Sequence, residues 1–258
     1  MKNSRIDQIE KYIEAHKAVS VSELSETFHV SIVTIRRDLR VLRNLGKIDT
    51  VYGGARIHTS PSNVNIPLRT YQERTIKNSN EKQIVADAAS SLIKENDIIF
   101  IDTGTSTVPL ARHLGSFHQL TIVTNSVHVL HLCLDYPQLT VLSLPGMLKS
   151  RTASLVGEFT ERMIDTLNID KAFMACSAFS LEQGASNSSI EDSPIKRKIM
   201  SRSKSRYLLL DHTKLENSGL TSFAAADQFD GIVTDQPLPE KYNIFFHDNN
   251  ISVIIAKP

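Results

Sequence analysis

In the amino-terminal part of the chain, apolar positions recur every three or four steps in short bursts and then switch to alternation. Ile6, Ile9 and Ile13 keep helical spacing after a polar start at Asn3–Ser4. "SVSE" (Ser20 to Glu23) has the capping-box pattern, a hydroxyl serving the third backbone N–H while the glutamate reaches back; Leu24 and Phe28 follow at i, i+4. Ser31 heads a third periodic stretch, Ile35, Leu39, Leu42 and Leu45, with Gly46 as its stop. In "KIDTVYGGARIHT" two β-prone runs flank Gly53–Gly54, a tight-hairpin signal. Helix, helix, helix and hairpin over residues 1–58 predict a winged helix-turn-helix.

Residues 59–80 are polar, contain two prolines and keep no apolar period, so they read as a linker. From 81 to 258 the pattern changes again. "EKQIVADAASSLI" is an amphipathic helix, and short apolar runs then alternate with helical stretches. The runs are 97–102, 120–125, 139–144, 171–176, 206–211, 231–235 and 251–256. Near-continuous apolar strands between helices indicate a largely parallel sheet covered on both faces. The fold class is α/β: a small winged helix-turn-helix domain followed by a larger doubly wound domain.

Composition narrows the classes. A hydrophobic content of 41%, a charged content of 22% and a net charge of +1 suit a globular protein without a general cationic coat, leaving room for a local basic patch. Cys133 and Cys176 sit alone in apolar surroundings, which suits buried thiols in a reducing compartment rather than a disulfide or metal framework. No apolar run approaches membrane-spanning length and the amino terminus lacks a signal-peptide core, so the expected location is the cytoplasm. No metal or cofactor motif appears.

The third helix concentrates positive charge in "SIVTIRRDLR". With Ile35 at zero and about 100° per residue, Leu39 and Leu42 fall within roughly 40° of it; Arg36, Arg37, Arg40 and Arg43 spread over roughly 80–200°. A solvated helix face has the same outline. Against that, Asp38 is the only carboxylate on the central turns, and Val33 and Thr34 add groups suited to base edges and thymine methyls. Arginine serves guanine O6/N7 and phosphate alike.

These residues carry a resemblance. Arg5, Ile9 and Ile13, then "SIVTIRRDL", then "LRNLGKI" and "VYGGA" resemble the signature of the DeoR family of bacterial transcriptional regulators. The resemblance implies that the "TIRRDL" helix enters the major groove of an operator, through Ser31, Thr34, Arg36, Arg37 and Arg40. It departs at Asp49–Thr50, where the family wing often has an arginine; Arg56 is the remaining candidate for that phosphate contact.

In the large domain, "FIDTGTSTVPLARHL" is a hydroxyl-rich turn between a strand and a helix. On its residues alone it is either a phosphate cradle of backbone N–H groups or an ordinary strand–helix turn. The resemblance favours the cradle, because the family's sensor domain is similar to ribose-5-phosphate isomerase. It implies a phosphorylated sugar held by Asp102, Thr103, Gly104, Thr105, Ser106, Thr107, Asn125, Ser126, Gly157 and Lys214, with Thr124, Gly146 and Asp211 matching the same motifs. Glu191, Lys196 and Arg197 match a further recurrent patch, which also reads as a helix start capped by Ser193 with Pro194 at N1. "PGM" and "ACSAFS" depart from the family's glycine-rich turns.

The expected function is a repressor of a carbohydrate-use operon, controlled by a phosphorylated sugar and working as a dimer or tetramer. The alternative is a sugar-phosphate isomerase with an added DNA-binding arm, drawing acid–base chemistry from Asp102, Glu191, Asp211 and Lys214. A nucleoid-type binder would leave the large domain unexplained.

Overall fold

The structure is a computed structural model that describes residues 5–16, 18–44, 48–51, 54–57 and 71–256; for Ala18, Asn44, Asp49, Thr50, Val51, Arg56 and Ile57 it describes the backbone alone. The expected helix start at Asn3–Ser4, Leu45, the Gly46 stop, Gly53 and linker residues 59–70 lie outside the described residues. The chain divides into two compact units, one of residues 5–57 with 72–77 and one of residue 71 with 78–256.

In the first unit the elements run α1 (Arg5–His16), β1 (Ala18–Ser20), α2 (Val21–Thr27), α3 (Ile32–Asn44), β2 (Ile48–Val51) and β3 (Gly54–Ile57). The periodic residues form its core: Ile9, Ile13, Leu24, Ile35, Leu39 and Leu42 are buried together with Val19, Val21, Ile48 and Ala55. The capping box at α2 is formed, with the Glu23 N–H donating to Ser20 Oγ at 3.0 Å and the Ser20 N–H donating to Glu23 Oε2. The Thr34 N–H donates to Ser31 Oγ at 3.3 Å, so Ser31 caps α3. Strands β2 and β3 pair antiparallel with Val51 opposite Gly54. Strand β1, which is too short to show alternation, adds to the other side of β3 in the order β1-β3-β2. A Cβ on Gly54 would lie 2.4 Å from the Val19 carbonyl oxygen, so glycine lets β3 press against β1.

The second half of the expected linker is helical: α4 (Tyr71–Ile76) and α5 (Ser79–Ser90) occupy it, broken at Asn78 with φ +53°. Helix α4 buries no residue, so no apolar period announces it.

The second unit continues with β4 (Ile98–Ile101), a 3-10 helix at Val108–Ser116, β5 (Thr121–Thr124), α6 (Val127–Cys133), β6 (Thr140–Ser143), β7 (Met147–Lys149), β8 (Ser154–Val156) and α7 (Glu158–Ile164). Then follow β9 (Ile169–Ala175), β10 (Ala178–Ser180), β11 (Gly184–Asn187), α8 (Asp192–Arg202), β12 (Ser203–Leu210), β13 (Thr221–Ala224), β14 (Gly231–Thr234), α9 (Glu240–Asp248) and β15 (Ser252–Ile255). Each of the seven apolar runs supplies one strand of a seven-stranded sheet, ordered β15-β14-β12-β9-β4-β5-β6. Every pairing in it is parallel.

Successive strand residues serve opposite faces. Ile99 and Ile101 pack with α5, the 3-10 helix and α6, whereas Phe100 packs with α7, α8 and α9. Both faces are thus buried, the arrangement of a doubly wound α/β domain. From β4 the chain runs outward through β5 and β6, then returns to place β9 on β4's other side. The switch point between β4 and β9 therefore lies mid-sheet, where open α/β sheets bind ligands at the carboxyl ends of their strands.

Two smaller structures complete this unit, the β7–β8 hairpin and an antiparallel β10-β11-β13 sheet. The start of α8 differs from expectation. The helix begins at Asp192 without a side-chain cap bond, Pro194 is its third residue, and Ser193 Oγ has no partner. The Glu191 carboxylate bonds instead to Lys149 and Ser189. Cys133 and Cys176 are buried and free.

Ile35→Ala removes a fully buried side chain from the core-facing side of α3. It should lower the unfolding free energy of the small unit by about 2–5 kcal/mol, measured by urea denaturation followed by circular dichroism.

Candidate nucleic-acid interface and ligand site

Helix α3 separates its two sides cleanly. Ile35, Leu39 and Leu42 are buried, while Arg36, Arg37, Arg40 and Arg43 are exposed along the opposite face. Asp38 does not join the arginines. Three residues after Ile35 it lies about 60° to the inner side of the seam, it is 3% exposed, and Arg5 Nε donates to its Oδ2 at 2.7 Å. That hydrogen bond, with the Asp38 charge, holds the Arg5 guanidinium pKa above its ordinary value. None of the four α3 arginines has a carboxylate partner among the described residues. Val33 is 76% exposed beside them. The Ser31 and Thr34 hydroxyls lie 2.9 Å apart and bond to each other, so both act first in the helix cap.

In the large unit, charged and hydroxyl side chains gather at the carboxyl ends of β4, β5, β9 and β12. After β4 the chain turns through Asp102–Thr107, all of it buried. Asp102 anchors that turn. Its Oδ1 accepts the Thr103 N–H at 2.8 Å, and its Oδ2 accepts the Ala175 N–H at 2.8 Å and Lys196 Nζ at 2.6 Å. Lys196 also donates to the Ala175 carbonyl oxygen. Asp102 was expected among the ligand contacts, yet both its oxygens are taken up by the protein. The Thr107 hydroxyl is likewise internal, donating to the Asp102 and Gly104 carbonyl oxygens. A Cβ on Gly104 would fall 2.1 Å from Ala175 Cβ, so only glycine lets the turn close on β9.

What remains available in the turn is its amide edge. The N–H groups of Gly104, Thr105 and Ser106 donate to no group among the described residues, and the Thr105 hydroxyl has no partner there. Lys214 Nζ, from the short 3-10 turn after β12, donates to Ser106 Oγ at 2.7 Å and lies 3.8 Å from Asp211 Oδ2. Having accepted that bond, the Ser106 hydroxyl keeps its own proton to donate. Burial pushes the Asp211 carboxyl up, but the Lys214 charge, the Thr213 and Asn78 hydrogen bonds and the Lys82 charge outweigh it and hold it below the usual range.

Asn125 and Ser126 follow β5. Ser126 Oγ caps α6 by accepting the Val129 N–H, and Asn125 Nδ2 donates to the Leu155 carbonyl, leaving its Oδ1 without a partner. Gly157 follows β8, the strand to which Asn125 is bonded at Leu155. It precedes α7 with φ +113°, and the one atom within 4 Å of its Cβ position belongs to Met147.

Three neighbours escape a linear reading. Cys176, at the end of β9, feels the charges of Lys214, Lys196, Asp211 and Asp102, while burial pushes its thiol up and leaves it a poor nucleophile. Lys149 reaches from β7 to Ser189 Oγ at 2.9 Å and Glu191 Oε2 at 2.6 Å. With Glu191's own backbone N–H and Ser189, it holds the Glu191 carboxyl down to about 2. Burial pushes the Asp192 carboxyl up. Arg197 turns away to the Ser222 carbonyl. Among the described residues no helix is long and apolar enough to cross a membrane.

Comparison with known proteins adds the family. The DeoR-like helix-turn-helix domain matches residues 5–61, and the DeoR C terminal sensor domain matches residues 77–236. The HTH-type transcriptional regulator IolR of Bacillus subtilis (strain 168) is 35% identical over 256 residues, covering 99% of this chain and 100% of its own length. The lactose phosphotransferase system repressor of Staphylococcus aureus is 31% identical over 243 residues, covering 93% and 94%. A solved ribose 5-phosphate isomerase A from Methanocaldococcus jannaschii aligns at a TM-score of 0.40 and 17% identity, covering 54% of this chain and 55% of that one. Matched in both of its units, the chain belongs to the DeoR family and is a DNA-binding transcriptional regulator rather than an enzyme.

Proposed function

We propose that this regulator is a cytoplasmic repressor of carbohydrate-use genes, that it binds its operator as a dimer or tetramer, and that a phosphorylated sugar in the large unit controls it. One observation carries the ligand reading. Buried backbone N–H groups are nearly always paired, yet the Gly104, Thr105 and Ser106 amides are unclaimed in a buried turn beside Lys214. Consecutive free amides form a concavity for an anion, and a phosphate has the oxygens to fill it. The Staphylococcus aureus relative is named as a lactose phosphotransferase system repressor, which supports a carbohydrate-use target.

The residue roles divide accordingly. Gly104, Thr105, Ser106 and Lys214 take the phosphate and Asn125 Oδ1 faces the remainder of the ligand, while Asp102, Thr103, Thr107 and Ser126 hold the loops in place. On α3, Arg36, Arg37, Arg40 and Arg43 with Val33 and Thr34 meet the major groove and its phosphates, and Ser31 fixes the start of the helix. A single winged helix buries too little DNA for operator-level affinity, which supports self-association. Ligand binding then shifts operator affinity by about 5–150-fold, the usual size of such coupling. A thermal-shift screen with ribose, fructose and hexosamine phosphates tests the ligand class, and stabilisation by none of them would count against it.

Arg37→Ala should abolish specific operator binding in a gel-shift assay while leaving the unfolding free energy within about 0.5 kcal/mol. Thr105→Ala and Lys214→Ala should leave operator binding intact but weaken the ligand about tenfold or more, each removing at least one hydrogen bond to the anion. Isothermal titration with the sugar phosphate found by the screen measures that loss.

A further inference from the structure

Four buried side-chain atoms of the large unit have no hydrogen-bond partner among the described residues: Asn125 Oδ1, Asn187 Nδ2, Asp192 Oδ1 and Ser193 Oγ. Their residues are 3%, 5%, 9% and 1% exposed. Three of them come from the short stretch that leaves β11 and enters α8; the fourth follows β5. Native folds leave few such atoms unpaired, because each loses its water without recovering a bond.

The stretch is held in place. The Ser188 N–H donates to Ser177 Oγ, and Lys149 grips both Ser189 and Glu191. It also borders the anion site. Asp192 lies one helical turn before Lys196, whose amine is bonded to Asp102 at the root of the Gly104–Ser106 turn. Lys196, Lys149 and Asp102 all act electrostatically on Asp192.

The chemistry of the orphaned set excludes a second anion. Lys196 and Lys149 are already paired with Asp102 and Glu191, which leaves the set no uncommitted cation to hold one. The set mixes acceptors (Asn125 Oδ1, Asp192 Oδ1), a donor (Asn187 Nδ2) and a hydroxyl that can do either (Ser193). Such a mixture matches hydroxyl groups, each of which donates once and accepts as well.

We propose that Asn125, Asn187, Asp192 and Ser193 form the hydroxyl-reading end of the sensor site, selecting the carbon skeleton of a polyhydroxylated ligand whose phosphate sits at the Gly104–Ser106 turn. Asp192 is its specificity-determining residue. The inference rests on the anion site proposed above and adds the part of the ligand that the phosphate cannot distinguish.

Isothermal titration of the full chain with inorganic phosphate, ribose 5-phosphate, fructose 6-phosphate and glucosamine 6-phosphate tests it, using wild type, Asp192→Asn and Ser193→Ala. At least one sugar phosphate should bind wild type tenfold or more tightly than inorganic phosphate. Both variants should lose that surplus, with inorganic phosphate affinity changed less than twofold. Ser193→Ala removes an unpaired hydroxyl, so its ligand-free thermal midpoint should stay level or rise; this keeps the test valid if Asp192→Asn fails to fold. Sugar phosphates binding wild type no better than phosphate would overturn the hydroxyl-reading end and spare the anion site. So would variants that weaken all four probes equally, or that leave sugar affinity untouched because water serves these atoms. If none of the four probes binds wild type, the anion site fails as well.

Discussion

The ion pair between Asp102 and Lys196 is the constraint around which the large unit is arranged. Both side chains are nearly inaccessible and their atoms lie 2.6 Å apart. Burying two charges is unfavourable unless the remaining lone pairs and protons are satisfied. Here they are, through the Thr103 and Ala175 amides on one partner and the Ala175 carbonyl on the other. The pair thereby joins β4, β9 and α8 at the point where the order of the parallel strands reverses. Losing either partner strands a charge, at a typical cost of about 3–5 kcal/mol. Gly104, closed against Ala175, and the open amide edge after it follow from that junction.

The small unit handles charge in the opposite way. Among the described residues its one buried carboxylate, Asp38, is joined to Arg5 on another helix and so is withdrawn from the arginine face. A sequence count that balances Asp38 against its neighbours on α3 underestimates the positive potential of that face. The same residue ties α1 to α3 and leaves the arginine face unbalanced.

Legibility in the sequence followed the strength of periodic burial. The seven sheet strands were readable because both of their faces are apolar, and α1 to α3 because Ile9, Ile13, Leu24, Ile35 and Leu39 keep the helical step. Strand β11, "GASN", is buried throughout yet consists of small and polar residues, so no alternation marks it. Helix α4 buries nothing, and β1 is three residues long. The turn after β4 was visible as a run of hydroxyls, but its division into anchoring and open groups was not. That division depends on Lys196 and Lys214, which are 94 and 108 residues from their partners. Ser193 looked like a cap because Ser-Pro usually opens a helix, yet α8 begins before it, at Asp192.

Lys149, Lys196 and Lys214 each already have a carboxylate within 4 Å, those of Glu191, Asp102 and Asp211. At the proposed anion site the nearby lysine charges are therefore already matched by carboxylates, and an anion bound there meets oriented dipoles more than excess charge. Dipoles at contact distance are little affected by dissolved ions, whereas the arginine face depends on displacing ions from a polyanion. On the roles proposed above, ionic strength acts on the two units unequally: brine weakens the hold of the arginine face on a duplex and leaves anion binding in the large unit nearly unchanged.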